Sequence, residues 1–173
     1  MTTEIAIYQR LAKYNTWMTE KAYVAADKMS DADRRENRGA FFKSVHSTLN
    51  HLLFGDRAWM RHFTGRDYQV GGMGVDIFED YEALKAAHFE ICADIEEFAG
   101  GLTSEWLAGN LEWTSRSDGQ TRTRPRWLCL THMFNHQTHH RGQLSTLYMQ
   151  AGIDIGKTDL PFMPDLLQQD VSG

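Results

Sequence analysis

Four long stretches of the chain carry apolar residues at helical spacing. A chain so patterned buries its stripes most readily by packing the helices against one another. The first stretch spans residues 3–28, where Ile5, Tyr8, Leu11, Ala12, Asn15, Met18, Ala22 and Tyr23 share the repeat. A polar connection, SDADRRENRGAFF, leads to a second stretch from about Lys43 to Thr64, closed by Gly65 as a C-terminal stop. Four glycines within ten residues make GRDYQVGGMG a loop. A third helix is expected over about 79–99, capped by Asp76 or Asp80 and ended by Gly100 and Gly101. The fourth runs from near Pro125–Trp127 to about Gln150, before Gly152.

Between the third and fourth stretches the pattern breaks. LTSEW allows a single helical turn, and LEWTSRSDGQTRTRPRW carries an Asp118–Gly119 pair flanked by Thr and Trp, the signal of a hairpin with a type I′ turn. KTDLPFMPDLLQQ predicts a short terminal helix, with Thr158 or Asp159 as cap and Pro161 in its first turn. The expected fold class is therefore all-α, a four-helix bundle with a small β-hairpin excursion and a short C-terminal helix.

At 173 residues the chain is expected to form a single domain over 1–173, with a core large enough to need no disulfide. Cys92 and Cys129 lack a CxxC spacing and lie in helical apolar patterns, so both are expected to be buried free thiols. A formal charge of −5 argues against a nucleic-acid partner, and the one basic cluster, RTRPR at 122–126, reads as a solvated loop. No apolar run approaches the ~20 residues of a membrane span, and the first residues, MTTEIAIYQRLAKYN, match neither a secretory signal nor a transit peptide. A cytoplasmic protein with no membrane partner is expected.

The segment THMFNHQTHHRGQ holds four of the eight histidines. On a helical wheel Cys129, His132, His136, His140, Gln143 and Leu147 share one face, with His139 about 60° to its side and Thr138, Arg141 and Ser145 opposite. Imidazoles at i and i+4 project together and can reach one ion. One lone histidine on such a face is more often a packing or surface residue, and a histidine stripe can also serve as a pH-dependent contact. The wheel leaves His132, His136, His139 and His140 open as ligands. A further ligand should come from the second stretch, where Ser47, His51, Phe54, Gly55, Ala58 and His62 share a face and His46 points about 140° away. His51, near the middle, is the better candidate. His62, near the helix end, and His88, isolated on the third helix, read as surface residues.

These residues carry a resemblance. RGAFFKSVHSTLNHLLFGDRAWMRHFTG, LTHMFNHQTHHRGQL and GKTDLPFM closely resemble the DinB family of metal-dependent bacterial proteins, and LAKYNTWM stands where that family has a Tyr-Asn-x-Trp motif. The resemblance implies a bundle of the DinB/YfiT type and a divalent metal ion, Zn, Ni or similar, held by His51, His136 and His140. His132 and His139 then become neighbouring or packing residues, and Gln143 a polar neighbour of the site. Tyr14, Asn15 and Trp17 read as packing or as ligand contacts. Asp56 lies about 140° from His51 on the wheel, so it reads as a surface charge or as a group serving a neighbouring helix, and no obvious general base accompanies the ligands.

Three neutral imidazoles and an open position describe a catalytic type of site. The resemblance therefore implies a metal-dependent hydrolase or thiol S-transferase acting on a small molecule, with a low-molecular-weight thiol as the implied co-substrate and a homodimer as the implied assembly. The alternative is a non-catalytic metal-binding stress-response module with the same ligands, which a fourth protein ligand would favour. Direct DNA binding, a third reading, is opposed by the charge.

Overall fold

The computed structural model describes residues 3–72, 74–115 and 118–166. Four long helices form the bundle: α1 (Thr3–Ala26), α3 (Val45–Thr64), α4 (Tyr81–Gly100) and α6 (Arg126–Gln150). Two short helices, α2 (Asp31–Arg35) and α5 (Ser104–Ala108), and the antiparallel pair β1 (Asn110–Thr114) and β2 (Thr121–Pro125) lie in the connections. In the bundle, α1 packs on α4 and α6, and α3 packs on the same two helices. No helix of the described residues is long and apolar enough to cross a membrane.

The helix ends follow local chemistry. Lys43 has φ 66°, a left-handed conformation that cannot continue into a helix, so α3 begins two residues later than expected. Ser44 caps it by accepting from the Ser47 N–H at 3.1 Å. Gly65, at φ 73°, closes α3 by donating its N–H to the Arg61 carbonyl. Asp80 is the cap of α4, accepting from the Ala83 N–H at 2.8 Å. Within the connection after α1, α2 arises from a capping box in which Ser30 and Asp33 satisfy each other's backbone N–H groups.

Leu49, Leu53 and Met60 of α3 meet Leu84, Ile91 and Ile95 of α4 and Leu130, Met133, Leu144 and Leu147 of α6 in a core from which water is excluded. Each such side chain contributes about 1.5–3 kcal/mol on burial. Tyr148 and Tyr23 are also buried and keep their hydroxyls satisfied, Tyr148 donating to the Ala22 carbonyl at 2.8 Å and Tyr23 lying 2.6 Å from His88 Nδ1. Both cysteines are free and buried, and burial pushes the Cys92 thiol up to about 12.

Several expectations need correction. The hairpin is present, but its last ladder pair is Thr114–Thr121, and Ser115 N–H donates to the Gln120 carbonyl at 2.9 Å. Asp118 and Gly119 therefore belong to a wider loop rather than a two-residue turn, and Asp118 instead accepts from the Gln120 N–H and pairs with Arg122 at 2.6 Å. The basic RTRPR segment is strand β2 and the start of α6, not a loop. The terminal stretch forms a 3-10 turn, Leu160–Phe162, and breaks at Met163 (φ −61°, ψ 137°). Met163 precedes Pro164, whose ring forces the preceding residue out of helical geometry. Residues 164–166 resume helical form, and the rest of that expected helix lies outside the described residues.

His88 is buried rather than at the surface, because Tyr23 gives its ring a partner inside the bundle. Burial lowers its pKa to about 3, the Arg57 charge acting in the same direction. Unfolded, this imidazole takes a proton below about 6.5; folded, it stays neutral until far lower pH, so stability falls as pH drops from 6.5 towards 3. Urea denaturation at pH 7.5 and pH 4.5 should show that loss, and His88→Asn should lose less between the two conditions than the parent.

Candidate metal centre

α3 and α6 run antiparallel, and their facing pairs place His51 against His140, Gly55 against His136 and Trp59 against His132. Two neighbouring turns of α6 therefore aim imidazoles at one point on α3. His51 Nε2 lies 3.1 Å from His136 Nε2 and 3.1 Å from His140 Nε2. The three rings thus offer one nitrogen each to a common locus, all within 4.8 Å of one another. Nitrogens about 2.0–2.1 Å from one tetrahedral ion would stand roughly 3.3 Å apart, close to the spacing seen.

Proton positions fit the same reading. Gln143 Oε1 can only accept, and it lies 2.8 Å from His140 Nδ1, which fixes the proton there and leaves the Nε2 lone pair facing the cluster. The amide of Gln143 reaches on to His139 Nε2 at 3.2 Å. His51 Nε2 has two nitrogen neighbours and at most one proton to share, so hydrogen bonding alone cannot satisfy the trio. A cation can. The donor set of three imidazoles therefore suits a divalent metal.

Burial holds the rings neutral. Desolvation, aided by His140, lowers His51 to about 4. Desolvation, then His140 and His51, lowers His136 to about 3. His140 is lowered by the same desolvation, against the pull of its Gln143 hydrogen bond. Phe42, in the turn before α3, stacks on His51 with centroids 3.8 Å apart and meets His140 edge-on at 5.5 Å. That turn places one aromatic ring against two imidazoles of the cluster.

Of the residues left open by the helical wheel, His136 and His140 enter the cluster, whereas His132 and His139 border it. His132 lies 6.0 Å from His136, ring to ring, and against Trp59. His139 packs edge-on to His140 at 4.7 Å. His46 points elsewhere, as expected, with Nε2 2.9 Å from the Phe78 carbonyl. His62 is not a free surface residue but is partly buried against Trp59 and Trp113. Asp56 is buried too, which removes the surface reading: Gln137 Nε2 donates to its Oδ1 at 2.8 Å, and burial pushes the carboxyl up to about 7. Among the YNxW residues, Asn15 accepts from buried Arg141 and so ties α1 to α6, whereas Tyr14 donates to the Thr158 carbonyl at 2.6 Å and Trp17 packs on Tyr14.

Sequence reasoning missed Phe42, Gln137 and Arg141. Gln137 and Arg141 each follow a cluster histidine, and that repeat of histidine plus a long polar side chain at i and i+4 was a usable signal. Phe42 left none, since a turn residue shows no periodicity.

Fold and cluster together define a class, the four-helix bundle that gathers three imidazoles between two antiparallel long helices. The DinB family model matches residues 1–171, and the chain belongs to the DinB family. It is similar to Protein DinB of Bacillus subtilis (strain 168), with 25% identity over 154 residues covering 87% of this chain and 89% of that one. It also resembles the solved structure of a DinB-like protein from Bacillus cereus ATCC 10987, at a TM-score of 0.61 and 18% identity, over 82% of this chain and 91% of that one. That structural likeness concerns the fold.

Gly55 gives the test of this geometry. A Cβ placed there would lie 2.5 Å from His136 Cε1 and 2.9 Å from its Nδ1, so the imidazole reaches the locus only because α3 lacks a side chain at that point. Alanine raises intrinsic helix propensity by up to about 1 kcal/mol, so Gly55→Ala should keep its helical content. Displacing the ring should still weaken Zn binding by about tenfold or more, read by competition with a chromophoric chelator.

Proposed function

We propose that the chain is a metal-dependent enzyme of the DinB type, a hydrolase or thiol S-transferase acting on a small molecule. His51, His136 and His140 are its proposed ligands for a divalent ion such as Zn or Ni. The reading rests on the convergence of three Nε2 atoms, with His51 3.1 Å from each of the other two. Among the described residues no fourth His, Cys, Asp or Glu donor joins that group, which favours an open, catalytic type of site over a closed structural one. The proposal extends to a single domain over residues 1–173, located in the cytoplasm and assembling as a homodimer, with a low-molecular-weight thiol as co-substrate.

A divalent ion held there supplies Lewis acidity, which makes a nucleophile available near neutral pH from a water or a thiol. The chain's own residues prepare the locus. Desolvation keeps His51 and His136 neutral and ready to donate lone pairs. Gln143 holds the His140 proton on Nδ1. Phe42 covers a face of His51 and keeps water from that side. Asp56 faces Gln137 inside the bundle and is no general base for this site.

Elemental analysis of purified protein should find about one divalent ion per chain. His136→Ala should abolish that stoichiometry, and metal retained by this variant would overturn the ligand assignment. Turnover in a screen of small thiols paired with electrophiles would separate an enzyme from a sequestering protein.

A further inference from the structure

We propose that the cavity lined by all four long helices binds one ordered water, which bridges buried Asp56 of α3 to buried Arg141 of α6. This water site is independent of the metal reading and forms a further link between the two helices that carry the histidine cluster.

The cavity measures about 10 Å³, and one water needs on the order of 10–15 Å³. Volume alone does not separate a bound water from a packing defect, because an apolar void of that size stays dry. The walls decide. Asn15 and Thr19 of α1, Asp56 of α3, His88 of α4 and Arg141 of α6 line the cavity, and all five are buried.

These side chains have hydrogen-bonding capacity to spare. Asp56 Oδ1 accepts from Gln137 at 2.8 Å, and Oδ2 has no partner among the described residues. Arg141 donates from Nη1 to Asn15 at 2.5 Å and from Nη2 to Thr138 at 3.4 Å, which uses two of the five N–H groups of a guanidinium. Tyr23 engages His88 at Nδ1 and leaves Nε2. Among the described residues Asp56 and Arg141 form no direct ion pair, yet each acts on the other. Burial pushes the Asp56 carboxyl up to about 7 against the pull of Gln137 and Arg141, and lowers Arg141 against that of Tyr14 and Asp56. Opposite charges that sense each other without touching, and that line one water-sized cavity, have the geometry of a water-mediated contact.

Charge selects the occupant. A cation in the cavity would meet Arg141 and an anion would meet Asp56, whereas a water can donate to the carboxylate and accept from the guanidinium at once. The bridge also answers for two charged groups whose burial without a partner would be costly. Asp56 follows Gly55, which faces His136, and Arg141 follows His140, so the bridge fastens α3 to α6 beside the facing histidine turns.

A high-resolution crystal structure of the purified protein should show one water about 2.7–3.2 Å from both an Asp56 oxygen and an Arg141 nitrogen. An empty cavity, a direct Asp56–Arg141 ion pair, or anomalous scattering from bromide at that position in crystals grown from bromide would overturn the proposal. Urea unfolding tests the link in solution. Asp56→Asn, which keeps an oxygen for Gln137, and Arg141→Met should each raise the unfolding constant about tenfold or more. The double variant should fall short of the product of the two effects by about tenfold, and effects that simply multiply would refute the bridge. Should either variant fail to fold, the crystallographic result on the parent protein decides alone.

Discussion

The antiparallel register of α3 against α6 is the constraint on which the rest of the site depends. A shift of one helix by a single residue would turn each facing side chain by about 100° and separate His51 from both of its partners. Leu49, Leu53 and Met60 of α3 share one buried core with Leu130, Met133 and Leu144 of α6, which sets that register in apolar terms. Apolar packing tolerates repacking, however, and a site that needs nitrogens 3.1 Å apart needs a more selective constraint.

Buried polar groups on α6 provide it. Gln137, next to His136, donates to Asp56 of α3, and Arg141, next to His140, donates to Asn15 of α1. Each α6 histidine of the cluster is thus followed by a side chain that ties α6 to a neighbouring helix. Asp56, Gln137 and Arg141 are nearly removed from water, so a rotation that broke either contact would leave a buried polar group unpaired at a cost of about 1–3 kcal/mol. Such contacts add little net stability when made, since burying them is itself costly. Their effect is selective: they penalise wrong orientations of α6. Desolvation outweighs the pull of Gln137 and Arg141 on Asp56 and raises its carboxyl to about 7.

Much of this was legible in the sequence, for reasons that differ residue by residue. The four long helices follow from periodicity, and the ends of α3 and α4 from Gly65 and Asp80, because caps are local chemistry. His51, His136 and His140 came from the resemblance, since the wheel alone could not separate His136 and His140 from His132 and His139. What decides among them is which helix lies opposite and in what register, a tertiary fact. His88 was misread, and Asp56 left open between the surface and a neighbouring helix, for the same cause: a charge or an imidazole on a helix reads as exposed unless its partner is known, and Gln137 and Tyr23 are 81 and 65 residues away. The α2 capping box was in plain view as Ser30 and Asp33, but five residues are too few to show a period.

The neutral state of the cluster connects stability to binding. Three imidazoles with nitrogens this close cannot all be protonated, and His51, His136 and His140 are each lowered chiefly by loss of water, with neighbouring histidine charge adding to the effect. A surface histidine near its usual pKa of about 6.5 would be partly protonated in mildly acidic conditions, and a metal would have to displace that proton. Here the fold has already excluded the proton before a cation arrives. The lone pairs that face one another repel, and hydrogen bonding cannot relieve all three at once. The facing lone pairs, rather than desolvation, give the cluster its preference for a cation, and burial of apolar side chains such as Leu53 and Met133 offsets the cost of holding the three rings together.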